Sequence, residues 1–491
     1  MNNENKNENK KSTNLIKNLR DCFDEENQVV ETKLSICREE FSIFHIESLI
    51  DKKLFSSSIL APLEKLDETD IENRNEVFEK VMSVISVSSK QECSDFNQIK
   101  ENLFLGQVIV VFKTKAICCP IFFAEKRGVQ EPPNSKVVKG PREGFVEEIN
   151  TNIGLVRKRL KTPDLKIIDI FVGEKSKTKV SIFYINGVAK KEIVDDIKTK
   201  VQAINIDAVI DSYYIESFLE GEKLKFFRRM GNTEKPDVFC SKILEGRVGI
   251  LVDGSPVALT APFVLLEDLQ SVDDYYTFPA IASFTRILRV FGLIIAILVQ
   301  AIYVALQSYN YRILPINFLI TILSSIEGLS IPPLLEMLFV VFLFEIILEA
   351  SLRMPEPLSM ALSIIGALAL GNTAVDAGII SPPSIVIVAV SSVSLYVIPD
   401  QISETRILRL IFTSLGGIIG LYGIFVSIII LATYLCSIES FGVPYLAPYA
   451  PSVKSDKKDG FIKKSIQAMK KRPLIIAGKD KIRQGDEKND S

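Results

Sequence analysis

The chain has 491 residues, a formal net charge of -2 and seven cysteines, with a mean hydropathy of +0.23. His45 is the only histidine, which argues against a zinc site and against histidine-based acid–base catalysis. The cysteines form no CxxC motif and no framework spacing, so we expect reduced thiols. The front half contains neither a GxGxxG motif nor a P-loop, so we expect a protein that is not an enzyme and needs no cofactor.

Charge and hydropathy divide the chain into three regions. Residues 1–283 are rich in Lys, Glu and Asp, residues 284–450 hold long apolar runs, and no lysine occurs between Lys242 and Lys454. The N-terminal "MNNENKNENKKSTN" lacks an apolar core, so we expect no cleaved signal peptide. The pattern predicts a cytosolic α/β N-terminal region of two related lobes, followed by an all-α polytopic transmembrane bundle and a short soluble tail.

The predicted domains follow from these composition changes. They are a disordered tail (1–14), a first α/β lobe (15–130), a linker (131–140), a second α/β lobe (141–262), an interfacial elbow (263–283), a membrane domain of four to six helices (284–450) and a basic cytosolic tail (451–491). The apolar runs and their periodicity predict the individual strands, hairpins and helices of both lobes.

In the first lobe, "GQVIVVF" and "AICCPIFF" predict a hairpin around "KTK". In the second lobe, the expected elements are a helix over 145–160, strands at "LKIIDIFVG" and "KVSIFYING", a helix over 190–204, a short strand over 207–210 and a hairpin at "GRVGILVDGSPVALT". Asp253 and Gly254 form the expected turn of that last hairpin.

An internal echo links the two lobes. "FLGQVIVVFKTKAICCP" and "LEGRVGILVDGSPVALT" share the order helix end, glycine, strand, polar turn and strand, with Gly106 matching Gly246 and Val108 matching Val248. The alternative is that the two hairpins are alike only because many α/β hairpins share this plan.

Five apolar stretches predict membrane helices, at about 284–307, 331–350, 358–378, 381–398 and 407–436, and a sixth, 313–326, is short. Arg286 and Arg289 on one side and the basic tail on the other place both flanks in the cytoplasm. That topology requires an even number of crossings, so either six segments cross or only four do.

One predicted helix carries charges that need an explanation. Glu345, Glu349 and Arg353 are four residues apart and share one face of helix 331–350, whereas Glu336 lies about half a turn away. A charge at mid-bilayer costs about 3 kcal/mol on insertion scales, so this intramembrane charge cluster needs partners or water. A structural salt bridge and a role in an ion path remain equal alternatives.

Two further sets of candidate residues come from the same region. Small residues on one side of helix 358–378 indicate either close helix packing or a pore-facing helix. The pore-lining candidates are Ser363, Ala367, Leu368, Leu370, Gly371, Asn372 and Asp376. In the elbow, Asp274, Tyr275 and Tyr276 are candidates for an interfacial anchor, with coupling between lobe and pore as the alternative.

Several strings together resemble the A subunit of the GerA-type spore germination receptors of endospore-forming bacteria. The resemblance runs from about Gly140 to Pro451. The strings are "PREGFVEEINTNIGLVRKRLKTPDL", "NTEKPD", "LEGRVGILVDGSPVAL", "DDYY", "FEIILEASLRMP", "GNTAVDAGIISP" and "FGVPYLAP". The chain departs from the family pattern at Lys235, Leu348 and Ser351 and within "GNTAVDAG", which puts details of selectivity or gating in doubt.

The resemblance implies a function and partners. Such A subunits are expected to work with a permease-like, nutrient-binding B subunit and a lipoprotein C subunit in the spore inner membrane. A homo-oligomer, expected to be a pentamer, is implied to form a ligand-gated channel that releases monovalent cations. No nucleic-acid partner is expected.

Two alternatives remain open from the residues alone. The chain could assemble a signalling complex without conducting ions, as a scaffold. It could instead be a secondary transporter, since "SIPPLLE" and "ISPPSIV" resemble the interrupted helices of transporters, although the membrane region shows no paired repeat.

Overall fold

The computed structural model describes residues 15–23, 25–36, 39–66, 77–87, 89–121, 140–221, 226–327, 329, 331–355, 358 and 373–484. The chain divides into two units. The α/β unit consists of residues 1–223, 229–263 and 470–491, and the helical unit consists of residues 224–228 and 264–469.

The first lobe of the α/β unit contains a five-stranded antiparallel sheet with the strand order β1-β2-β4-β5-β3. Its elements are β1 (Val29–Ile36), β2 (Glu39–Ile46), β3 (Gln91–Cys93), β4 (Val108–Phe112), β5 (Lys115–Cys119), α1 (Val77–Val84), α2 (Phe96–Phe104) and the short helices Lys52–Phe55 and Ala61–Glu64. The predicted hairpin around "KTK" is therefore confirmed as β4 and β5.

Strand β4 shows why its sequence is an unbroken apolar run. Val108 and Val110 pack into one core cluster with α1, whereas Ile109 and Val111 pack into another with α2. Side chains alternate between the faces of a sheet, and helices cover both faces here, so every position of the strand is buried.

The second lobe repeats the plan with the strand order β6-β7-β9-β10-β8, again antiparallel throughout. Its elements are β6 (Leu165–Val172), β7 (Thr178–Ile185), β8 (Gly231–Thr233), β9 (Val248–Val252), β10 (Ala258–Ala261), α3 (Ile149–Arg159), α4 (Lys191–Gln202), α5 (Ser212–Glu220) and α6 (Pro236–Leu244). An α/β region with two sheets is therefore confirmed.

The two sheets have equivalent topology, as the internal echo suggests. Gly106 and Gly246 each follow a nine-residue helix, α2 or α6, and both have positive φ angles, +90° and +105°. Val108 and Val248 then open the equivalent central strands. Positive φ is costly for residues with a Cβ, which explains glycine at both positions.

Two local expectations for the second lobe need correction, and one helix there was not expected. Helix α3 begins at Ile149 rather than at 145, because Phe145 and Val146 instead donate backbone hydrogen bonds to the Glu234 carbonyl and to Oδ1 of Asn152. The strand expected over 207–210 is wrong, since these residues form no strand. Helix α5, capped by the Asp211 carboxylate, was not anticipated.

The segment 470–484 belongs to the α/β unit and packs on its second lobe. Gly478 N donates to the Val188 carbonyl at 2.7 Å, and Asp480 N donates to the Gly187 carbonyl at 2.9 Å. A Cβ on Gly246 would lie 2.9 Å from Cα of Ala477, so glycine is also needed there for this close approach. The chain thus returns to the lobe that it left at residue 263.

The helical unit contains six helices of at least eleven residues among its described residues. They are α7 (Pro279–Ser308), α8 (Ile316–Ile326), α9 (Pro333–Arg353), α10 (Pro382–Leu395), α11 (Ile402–Ile419) and α12 (Leu421–Ser437). A helical C-terminal part is therefore confirmed. Most of the predicted helix 358–378 lies outside the described residues.

The number of helices that could cross a membrane is smaller than the sequence suggests. Over the described residues, only α7 is both long and apolar enough, and a second span results if α10 and α11, bent by 110°, count as one. Helix α9 has 21 residues but carries three glutamates, and α12 is apolar but has only 17 residues.

The single helix expected over 407–436 is wrong. The chain breaks between α11 and α12 at Gly420, which has a φ of +75° and a ψ of -156°. Two glycines of this region, Gly416 and Gly420, have different roles. Gly416 permits close packing on α7, since a Cβ would lie 2.8 Å from the Ala301 carbonyl oxygen, whereas Gly420 makes the turn.

Candidate functional site

The three charges on the C-terminal part of α9 divide into two groups. Glu349 and Arg353 form an ion pair at 2.6 Å, with 51% and 79% of their side chains exposed. Glu345 instead turns towards α11, where Oε2 lies 3.3 Å from Nε of Arg406 and Oε1 pairs with Arg409. An exposed pair adds little stability, so Glu345 is the energetically important member.

Arg409 is the centre of this ion network. Its side chain is only 1% exposed, and its second terminal nitrogen donates to Oγ of Ser392 at 3.2 Å and to Oγ of Ser391 at 3.4 Å. Ser391 in turn donates to the Ala296 carbonyl of α7 at 2.8 Å. One carboxylate thus faces two guanidinium groups, and the network joins α7, α9, α10 and α11.

Sequence reasoning missed Arg406 and Arg409, although a signal was present. The two arginines are three residues apart, where the polar first turn of α11 gives way to an apolar run. Charged groups in such a run need a partner of opposite sign, and the predicted helix with the most carboxylates was the obvious place to look for it.

Glu336 lies in a different environment from the other charges of α9. It is 1% exposed, and its Oε1 accepts hydrogen bonds from the backbone N and from Oγ of Ser381, both at 2.7 Å. Ser381 is the N-cap of α10, so the carboxylate sits against the positive end of that helix dipole. It is buried inside the helical unit rather than at an exposed end.

In the elbow, Asp274 is the buried hub of an ion cluster and the two tyrosines lie outside it. Asp274 is 2% exposed and accepts from Nε of Arg286 at 2.9 Å and from two nitrogens of Arg289 at 2.8 and 3.0 Å. Burial acts to raise the pKa of Asp274, but the hydrogen bonds from Arg289 and Arg286 outweigh it and hold the pKa below its usual value. Tyr275 and Tyr276 are 37% and 44% exposed.

The same cluster ties the elbow to residues near the end of the helical unit. Arg286 also donates to Oδ1 of Asp459 at 2.9 Å and to the Gly460 carbonyl at 2.7 Å. Lys463 Nζ donates to the Asp274 carbonyl at 2.5 Å, and the Tyr275 hydroxyl donates to Oδ2 of Asp459 at 2.7 Å. The sequence did not indicate that Asp459 and Lys463 belong to this cluster.

A second buried aspartate, Asp268, links three further segments of the helical unit. It pairs with Arg228, and its Oδ2 accepts from Nε2 of Gln401 at 2.8 Å, just before α11. Burial raises the pKa of Asp268, although the Arg228 charge opposes this shift. Sequence patterns give no signal for this contact, because Arg228 lies outside the region where membrane helices are predicted.

The pore-lining candidates are mostly outside the described residues. The candidates that lie outside the described residues are Ser363, Ala367, Leu368, Leu370, Gly371 and Asn372. Asp376 is described and exposed, at the end of the short helix Ala374–Asp376. Across the described part of the chain, no group of three His, Cys, Asp or Glu residues is arranged to hold a metal ion.

The cysteines are described at six of seven positions, and all six are free thiols. Cys118 and Cys119 are buried in the first lobe, and burial raises the pKa of each to about 12. Thiols with so high a pKa are poor nucleophiles, so these residues serve as small apolar core groups.

Comparison of the whole sequence with known families identifies the class of protein. A model described as "Bacillus/Clostridium GerA spore germination protein" matches residues 17–475, so the chain belongs to this family.

Two relatives, spore germination proteins KA and GerLA, agree with this assignment. Spore germination protein KA of Bacillus subtilis (strain 168) is 32% identical over 484 residues, which cover 96% of this chain and 89% of that protein. Spore germination protein GerLA of Bacillus cereus is 33% identical, over 84% of this chain and 85% of that protein. The crystal structure of the N-terminal domain of the A subunit of the Bacillus megaterium spore germinant receptor GerK3 aligns with 25% identity and a TM-score of 0.39, over 51% of this chain and 94% of that chain.

Proposed function

We propose that this chain is the A-type subunit of a nutrient germinant receptor in the spore inner membrane. It is proposed to oligomerise, as a pentamer, into a gated channel that releases monovalent cations and so triggers germination. Family membership over residues 17–475 is the observation that carries the receptor role. Permease-like B and lipoprotein C subunits are the proposed partners.

The apolar surface of α7 supports a membrane location. Phe284, Ile287, Leu288, Phe291 and Ile294 are all exposed in the described part of the unit. These residues recur at helical spacing along one face, as expected for a helix that meets lipid or a neighbouring subunit. The Arg286–Asp274 ion cluster at the start of α7 fits the predicted elbow at the membrane surface.

The α/β unit by itself supports an even number of membrane crossings. Segment 470–484 packs on the second lobe, beside Val188 and Gly246. A chain that leaves this lobe at residue 263 and returns to it at residue 470 crosses a membrane an even number of times. We therefore keep four or six crossings, with both termini cytoplasmic, as the proposed topology.

The ion network around Glu345 supports a bracing role rather than an ion path. It contains one carboxylate and two arginines, so it carries an excess of positive charge that repels cations. It also joins helices within one subunit. The proposed pore stays with the predicted helix 358–378, whose small residues would suit close packing round a central axis.

Potassium release from intact spores tests the channel proposal. Spores that carry Leu368→Ala or Leu370→Ala are expected to leak potassium without nutrient, because the substitution would widen the proposed apolar constriction. Leu288→Ala, on the exposed face of α7, is the control and is expected not to leak. Normal retention with normal nutrient-triggered release assigns the pore to another helix. Loss of the receptor from the membrane favours the scaffold role, and saturable uptake of a substrate by the chain alone favours the transporter.

A further inference from the structure

We propose that Glu336, Ser381, Ser384 and Tyr303 form a binding site for one monovalent alkali cation inside the helical unit. The inference concerns a site within a single subunit and does not depend on ion conduction. It rests on four oxygen-bearing side chains from three helices that meet in a buried place.

A carboxylate without a basic partner is the first observation. Glu336 is 1% exposed, and no Lys or Arg pairs with it among the described residues. The residues of 264–469 that the structure leaves undescribed include no Lys or Arg either. A buried charge without a counter-charge is strongly destabilising. The ion network at Glu345 and the ion cluster at Asp274 both contain arginines, whereas no arginine pairs with Glu336 in the described part of the chain.

The Glu336 carboxyl group accepts two hydrogen bonds from Ser381, the residue that caps α10. Ser381 donates from its backbone N and from its hydroxyl, and both bonds go to Oε1. The hydroxyls of Ser381 and Ser384 are also bonded to each other at 2.9 Å. Since the single Ser381 proton goes to Glu336, Ser384 donates to Ser381, and its oxygen lone pairs stay available to a cation.

Tyr303 supplies the second, independent observation. Its side chain is more than nine-tenths buried, and its hydroxyl lies beside Ser381, Ser384 and Glu336. In the part of the chain that the structure describes, this hydroxyl still has no hydrogen-bond partner of good geometry. A buried hydroxyl without a hydrogen-bond partner is destabilising, so an occupant that the oxygen can contact would lower the free energy of the folded state.

The ligand set indicates the charge of the occupant. The four side chains would together carry one negative charge, on Glu336. That charge would neutralise the single positive charge of a potassium or sodium ion. Calcium and magnesium sites generally use more carboxylates or retained water, and transition metals prefer nitrogen or sulfur donors, of which this site has none. The neighbouring apolar side chains of Met337, Val340 and Ile380 keep the site away from bulk solvent.

Equilibrium binding to the purified full-length chain in detergent tests the proposal. Radioactive rubidium serves as the potassium probe and radioactive sodium as the second probe. We expect saturable binding of one of them, close to one ion per chain. A melting temperature that rises with KCl or NaCl, relative to N-methyl-D-glucamine chloride at equal ionic strength, is the parallel readout.

Glu336→Gln is expected to abolish both the binding and the salt-dependent rise in melting temperature. Glu349→Gln is the matched control, because it removes an exposed carboxylate from the same helix and is expected to keep both. If Glu336→Gln does not fold, Tyr303→Phe and Ser384→Ala each remove one oxygen, and each is expected to weaken binding several-fold. No saturable binding to the wild-type chain, or equal binding to the wild-type chain and these variants, overturns the proposal and leaves Glu336 as a cap of α10.

Discussion

The substitution Glu345→Gln tests the ion network of the helical unit most directly. It removes the only carboxylate that pairs with Arg406 and Arg409 among the described residues, and Arg409 has just 1% of its side chain exposed. The perturbation therefore leaves a buried guanidinium without a counter-charge. Ser391 and Ser392 still accept hydrogen bonds from it, but they carry no charge.

The expected magnitude follows from burial. Removing one partner of a buried ion pair costs about 3–5 kcal/mol, because the other charge stays desolvated. Glu349→Gln, four residues further along the same helix, breaks a pair whose side chains are 51% and 79% exposed. For such an exposed i,i+4 pair the expected loss is about 0.3–0.5 kcal/mol. The loss in free energy of unfolding should therefore be about tenfold larger for Glu345→Gln than for Glu349→Gln.

The assay is thermal and denaturant unfolding of the full-length chain in detergent, with both variants measured under the same conditions. A third variant, Glu345→Met with Arg406→Leu and Arg409→Met, replaces the whole network by apolar side chains and is expected to recover most of the lost stability. Equal stability of Glu345→Gln and Glu349→Gln would refute the bracing role. Failure of the apolar replacement to recover stability would show that the network does more than balance charge.

Three further predictions concern other parts of the chain. Gly246→Ala should lower the free energy of unfolding by about 1–3 kcal/mol, because Gly246 has a φ of +105° and contacts the C-terminal segment. Gly187→Ala is the control, because Gly187 also has a positive φ but has open space around it, and it should lower the free energy of unfolding by only about 1 kcal/mol. Equal losses would contradict the packing of that segment. The depressed pKa of Asp274 stabilises the fold above the unfolded pKa of about 3.9, and this contribution is lost as pH falls through the lower folded pKa. Asp274→Asn should remove that acid dependence in a pH series of melting temperatures. An unchanged pH profile would exclude the aspartate as its source. Gly416→Val should destabilise the helical unit by about 1–3 kcal/mol, because a Cβ would lie 2.8 Å from the α7 backbone; a fully stable variant would show that the two helices can separate.

Local patterns predicted the α/β unit well. The apolar runs of β4 and β9, with a glycine before each and a turn after each, fall where the sequence places them. Strands and hairpins depend on short-range alternation and turn residues, which a sequence displays directly. The strand expected over 207–210 failed because its apolar residues lie in a connection, where Thr178 binds the Val209 carbonyl.

The candidate sites were predicted less completely. The sequence identified the carboxylates of α9 and the elbow but not most of their partners. Glu345 and Arg409 are 64 residues apart, and Glu336 and Ser381 are 45 apart. No periodicity connects positions at such separations, because their contact depends on how whole helices pack.

The sequence by itself determined the family resemblance, the two-lobed α/β front, the helical second half and the need for partners at its buried charges, since all of these follow from composition and short-range spacing. Only the tertiary structure decided that Glu345 pairs with arginines of α11, that Glu336 instead meets hydroxyl groups, that Gly420 breaks a helix and that the C-terminal segment returns to the second lobe. The physical reason is desolvation: a buried charge or a backbone break is tolerated only where distant parts of the chain supply its partner or fit its shape.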